Sequence, residues 1–327
     1  MARYRTHLPQ LSGALFLTDG GIETTLIFHE GLELPFFAAF DLLKHRDGYA
    51  ALQKYFRTYA ALARRYGVGC ILESATWRAS PDWGTKLGYS TTALAALNRQ
   101  AITLLQEIRD EHADTSTPMV ISGCIGPRGD AYNPAALMTE DDAERYHTMQ
   151  AQTFRDTEAD MVTAITMTYT AEAIGLTRAA RAAGMPVVIS FTVETDGRLP
   201  TGQPLQEAIA QVDDATGRAP AYYMINCAHP THFSAALATG GPWLDRIRGL
   251  RANASTKSHA ELDEATELDD GNPAELGLQY RKLKEILPQL NVLGGCCGTD
   301  HRHVEASCQA CLPLWTTPKT GHAPNTP

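Results

Sequence analysis

Nowhere in the 327 residues is there a run of about 20 apolar side chains, so the sequence offers no membrane-spanning helix. Residues 1–10 lack the apolar stretch of a secretory leader. Basic residues are in deficit: 28 Lys and Arg stand against 37 Asp and Glu, a formal charge of −9. A nucleic-acid partner, which wants a basic face, is therefore not expected. No GxGxxG turn follows the first apolar run, and no GK[ST] follows Gly123-Cys124-Ile125-Gly126, which removes the dinucleotide and phosphate-loop readings. Cysteine is too sparse for a disulfide scaffold, with seven residues, an odd number, irregularly spaced. These absences together predict a cytoplasmic protein that works on small molecules and uses close-set cysteines for metal or reactivity.

What is present is an alternation. Apolar residues make up 44% and charged ones 20%, an ordinary globular composition. Short apolar runs at 14–18, 67–73, 118–123, 160–166, 186–192, 221–227, 247–252 and 291–295 read as strands. They are nearly uninterrupted by charge, as parallel strands buried on both faces require. Amphipathic stretches such as 50–66, 91–112, 139–158 and 171–183 read as the helices between them. Eight such units predict a single (β/α)8 TIM-type barrel over residues 1–312, with an open doubly wound sheet as the competing arrangement. Residues 313–327 hold four prolines and few apolar anchors, and are expected to form a loose tail.

Cys227 closes the sixth run, and Cys296-Cys297 follow the eighth. In a barrel both positions are C-terminal strand ends, which ring one mouth, so three thiols distant in sequence would converge. Gly294, Gly295 and Gly298 supply the backbone freedom to aim two consecutive side chains at one point. Three thiolates with one vacant position describe a tetrahedral Zn2+ site open for catalysis. The alternative is buried apolar cysteines that pack at strand ends.

Further motifs extend this pattern: Asp19-Gly20-Gly21 with Glu23, Gly123-Cys124-Ile125-Gly126-Pro127, Ser190-Phe191-Thr192, Asn226-Cys227, and Gly294-Gly295-Cys296-Cys297-Gly298-Thr299. Through them nearly the whole chain resembles the zinc-dependent homocysteine S-methyltransferases. The resemblance implies Zn2+ held by Cys227, Cys296 and Cys297, and methyl transfer from an onium or pterin donor to a thiol. The sequence ends about 30 residues past Cys297, with no room for cobalamin or folate domains, so the expected donor is S-methylmethionine or S-adenosylmethionine. The resemblance also implies carboxylates in the mouth for the acceptor's ammonium group. Asp19, beside Gly20, matches the first, whereas the second falls on Ile165. Either Glu73, at the end of strand two, replaces it, or the acceptor is a different thiol or selenol. Glu73 paired with Arg78 is the structural alternative. A barrel that binds zinc and a thiol without turnover is the non-enzymatic one. Asn226 and Asn253 would orient substrate or satisfy loop backbone, and Glu23 would support the site.

The remaining signals are weaker. Cys308 and Cys311 suit either a metal pair or one buried helix face. Thr299-Asp300 look like a helix N-cap, which places His301 and His303 on an exposed first turn. His229 is a competing zinc ligand or a bystander. Trp77-Arg78 and Trp83 would meet a sulfonium methyl or simply pack. Residues 253–275, rich in Asp and Glu, form a solvated face or a lid over the mouth.

Overall fold

The computed structural model describes residues 2–132 and 137–316. Eight parallel strands close into a barrel in sequence order: β1 Phe16–Leu17, β2 Gly69–Glu73, β3 Met119–Ile125, β4 Met161–Met167, β5 Val187–Thr192, β6 Tyr223–Asn226, β7 Ile247–Ala252 and β8 Val292–Gly295. Closure is made by β1 against β8, with Phe16 opposite Val292. The open-sheet alternative is thereby excluded.

Successive strand residues face opposite sides. Leu17, Cys70, Leu72, Val162, Ile225 and Leu293 pack outward in the large core shared with the helices. Their neighbours Phe16, Ile71, Val120, Met161, Met224 and Val292 fill the barrel interior, with Leu8 joining that cluster from the N-terminal segment. Both faces are therefore largely apolar, which is why the strands read as hydrophobic runs with few charges.

The helices are α1 Arg46–Tyr66, α2 Pro81–Lys86, α3 Thr91–His112, α4 Glu140–Arg155, α5 Thr170–Ala182, α6 Leu205–Thr216, α7 Pro230–Leu237, α8 His259–Asp263, α9 Pro273–Ile286, α10 His301–Cys311 and α11 Pro313–Thr316. Their starts follow local chemistry. The Ser90 hydroxyl accepts from Ala93 N–H at α3, and the Thr139 hydroxyl accepts from Asp142 N–H at α4. Asp300 caps α10 as its sequence suggests, but His303 is buried rather than exposed. Its Nδ1 accepts from Asp300 N–H and its Nε2 donates to Asp270 O, so the ring closes the cap. Cys308 and Cys311 lie fully in the core. Of the expected tail, Pro313–Thr316 is helical, and the Trp315 indole donates to Gly13 O at 2.8 Å. Residues 317–327 lie outside the described residues.

Candidate active site

The C-terminal strand ends open into a cavity of about 400 Å³. Asp19, Gly20, Glu73, Ile165, Cys227, Cys296 and Cys297 all line it. Asn226 does not: its side chain accepts from Thr166 N–H at 3.0 Å and Ser190 Oγ at 2.6 Å, and donates to Thr166 Oγ1 at 2.9 Å. The expected substrate ligand is instead a brace. It holds Thr166 in the left-handed region (φ 67°), where β4 carries an extra residue against β5. Asn253 likewise stays behind the cavity wall.

The three cysteine sulfurs lie within 4.8 Å of one another. Those of Cys227 and Cys296 are joined as a disulfide, with Cα atoms 5.3 Å apart. Cys227 has φ 53°, outside the strand conformation, and its N–H donates to Arg251 O on β7. Cys296 N–H donates to Ala252 O, and Ala254 N–H to Cys297 O, so β7 fixes both strand ends. Only Gly298 needs a left-handed conformation (φ 77°). Gly294 serves by its small size, because a Cβ there would collide with the Thr18 side chain. His229 is not among the metal-capable cluster of described residues; its Nδ1 caps α7 by accepting from Thr231 N–H.

Around the sulfurs is a buried polar shell. Asp19 forms an ion pair with Arg251 (Oδ1–Nη2 2.8 Å) and accepts from the Tyr55 hydroxyl at 2.8 Å. Burial pushes the Asp19 pKa up, against the pull of Arg251 and Tyr55. Arg251 also donates to Gly295 O and Gly20 O, which stitches β7 to β8 and to the end of β1. Asp19, which the resemblance assigns to the acceptor's ammonium, thus already faces a cation. Glu73 Oε1 accepts from Thr163 Oγ1 at 2.9 Å, while Oε2 is buried without a partner. Burial raises its pKa to about 7, against the attraction of Arg251. No contact joins Glu73 to Arg78, whose Nη1 donates to Gly129 O. Burial likewise raises the half-buried Glu23 to about 7.

Two loops reach over the sulfurs. His259 Nε2 donates to Cys227 O at 2.5 Å, and its Nδ1 lies 3.2 Å from a Glu194 oxygen. The Tyr132 ring stacks on His259 with centroids 4.0 Å apart, and its hydroxyl is 3.5 Å from Cys297 Sγ. Leu262, Ala265 and Leu268 also line the cavity, together with Ser255, Glu267 and Asp269, so the acidic segment presents a mixed apolar and polar face to the mouth. Arg251, His259, Tyr132 and Tyr55 escaped the sequence reading. Arg251 alone left a signal, as one of two charges, with Arg248, in the short strand β7.

The site is a barrel-mouth cavity with a three-sulfur cluster at strand ends six and eight, suited to a thiophilic metal and a small thiol. The sequence model of the homocysteine S-methyltransferase family matches residues 16–311, and the chain belongs to that family. Among solved structures, the oxidised form of the homocysteine methyltransferase MmuM from Escherichia coli aligns with TM-score 0.72 and 18% identity, over 91% of this chain and 96% of that one. The metallated form of the same enzyme aligns with TM-score 0.70 and 18% identity, over 90% and 95%. At that identity the likeness establishes the shared fold. No curated protein sequence matches significantly. Among the described residues, no helix is long and apolar enough to cross a membrane.

Proposed function

We propose that this protein transfers a methyl group from a sulfonium donor, of the S-methylmethionine or S-adenosylmethionine type, to a thiol acceptor. The acceptor that fits best is homocysteine, which would become methionine. The observation that carries the reading is the convergence of Cys227, Cys296 and Cys297 within 4.8 Å on the cavity wall. Soft sulfur donors with room for a fourth ligand suit Zn2+. When bound, the ion would act as a Lewis acid that lowers the pKa of the acceptor thiol, ordinarily ~8.5. Metal binding and the Cys227–Cys296 disulfide use the same sulfurs, so the metal-binding state is the reduced one.

The remaining work falls to the chain. The strand ends hold the cysteines, and the His259 contact fixes the Cys227 carbonyl behind its sulfur. Leu262, Ala265 and Leu268 of the 253–275 segment supply apolar wall against which the donor's methyl-bearing end can pack. The thiolate sulfur forms the new S–CH3 bond as the donor's S–CH3 bond breaks, and the donor departs as a neutral thioether. Glu73, with Oε2 unpartnered in the cavity wall that also holds the apolar Ile165, takes the acceptor's ammonium in place of the missing strand-four carboxylate.

A second reading draws support from Ile165 and from the cation already opposite Asp19: an acceptor thiol or selenol that bears no ammonium group. The test is metal stoichiometry on reduced protein, followed by methyl-transfer assays across donors and acceptors. About one zinc per chain with homocysteine-dependent loss of the sulfonium supports the first reading. Turnover only with amine-free acceptors supports the second, and metal binding without any turnover refutes both.

A further inference from the structure

Among the described residues, two arginines line the cavity, and they differ in what faces them. Arg251 is already paired with Asp19. Arg78 is only 5% exposed, and its Cζ lies 4.0 Å from the ring centroids of both Trp77 and Trp83. The indole rings thus pack on the guanidinium rather than standing open for a sulfonium. Of its N–H groups, Nη1 donates to Gly129 O, while Nε is buried without an acceptor. Asp130 and Glu23 favour its charged form through space, against the cost of burial. A buried, unpaired N–H on a planar cation is costly, and the fork of a guanidinium matches a carboxylate.

We propose that Arg78 is the receptor for the α-carboxylate of an amino-acid substrate. The proposal rests on the methyl-transfer reading above, because homocysteine and both sulfonium donors named there carry that group. Trp77 is itself anchored, its Nε1 donating to Ile165 O at 3.2 Å, so the clamp is tied to the strand end where the mouth has lost its expected carboxylate. Arg78 would thus place the head group of a ligand whose sulfur lies at the cysteines and whose ammonium faces Glu73.

The test is equilibrium binding to reduced, zinc-loaded protein, followed by the fluorescence of Trp77 and Trp83, so that no turnover is needed. The acceptor pair is homocysteine and 3-aminopropane-1-thiol, which differ by the carboxylate. The donor pair is S-methylmethionine and (3-aminopropyl)dimethylsulfonium. In Arg78→Gln, affinity for the carboxylate member of one pair should fall about tenfold to a hundredfold, while its partner is unchanged. The pair that responds says whether the carboxylate belongs to acceptor or donor. Arg78→Lys, which keeps the charge and loses the fork, should recover part of the affinity and guards against a folding defect in the Gln variant. Equal weakening of both members of each pair, or no change in any, overturns the proposal. Wild-type protein that binds zinc but none of the four compounds refutes the methyl-transfer reading itself, a pattern distinct from a failure at Arg78.

Discussion

Replacing Glu73 by Gln tests the reassignment of the ammonium contact at a single atom. Oε1 is held by Thr163, so a carboxamide can keep that bond, and the change is concentrated at the unpartnered Oε2. There an acceptor would give way to an N–H2 donor facing the ammonium. A charge-assisted hydrogen bond is worth roughly 1.5–3 kcal/mol, so kcat/KM for homocysteine should fall about tenfold to a hundredfold, mainly through KM. Metal content should not change. The pH profile gives an independent check. Burial raises the Glu73 pKa to about 7, with Arg251 pulling it down, Asp19 pushing it up, and hydrogen bonds from its polar neighbours favouring the anion. Wild-type KM for homocysteine should therefore rise as pH falls through about 7, where the carboxylate is protonated, and this limb should vanish in Glu73→Gln. The assay is methyl transfer from S-methylmethionine across that range, with zinc measured in each sample. Efficient homocysteine turnover that is insensitive to the substitution would refute the role given to Glu73.

Cys296→Ser and Cys297→Ser should each lose metal and activity together while circular dichroism stays native; full zinc occupancy in Cys297→Ser would exclude the ligand set. Asp19→Ala should cost stability as well as turnover. It leaves Arg251 buried and uncompensated, at about 3–5 kcal/mol, and an unchanged melting temperature would show that the pair contributes nothing. Glu23 and Glu73 both titrate near 7 in the folded chain, against about 4.3 when unfolded. Their raised values contribute stability that is full below the unfolded pKa and is lost as pH rises through about 7. The melting temperature should therefore decline from pH 5 to pH 7.5, with a shallower decline in Glu73→Gln; identical slopes would place the titration elsewhere. Asp300 does not disturb that window. Burial would raise its pKa, but the hydrogen bonds and charge of Arg302 and its other polar neighbours outweigh this and hold it low, so its contribution is lost only in stronger acid.

The barrel was legible because burial on both faces leaves a direct mark, an apolar run, at every strand. The cysteines were legible for a related reason: thiols just beyond two such runs must meet if the runs are parallel. What stayed hidden depends on direction rather than position. Asn226 sits beside a site cysteine in sequence, yet its amide turns to the backbone of β4, where an extra residue puts Thr166 into a left-handed conformation. The pairing of Asp19 with Arg251 joins residues on β1 and β7 that no local pattern connects. His303 looked exposed because a first helical turn usually is, but Asp270, in the loop between α8 and α9, supplies a carbonyl for its ring. Ile165, which the family resemblance set at the position of the second carboxylate, lies in the cavity wall.

Barrel closure by β8 against β1 also has a bearing on how the protein is made. Cys227 precedes Cys296 by 69 residues, and the strand that carries Cys296 and Cys297 into place is the last of the eight. A nascent chain emerging from its N-terminus can hold one thiol of the cluster in place, but not three, until that strand docks. Any metal that all three sulfurs hold is therefore acquired only once that strand has docked. Its occupancy would report, for each molecule, that the barrel has closed.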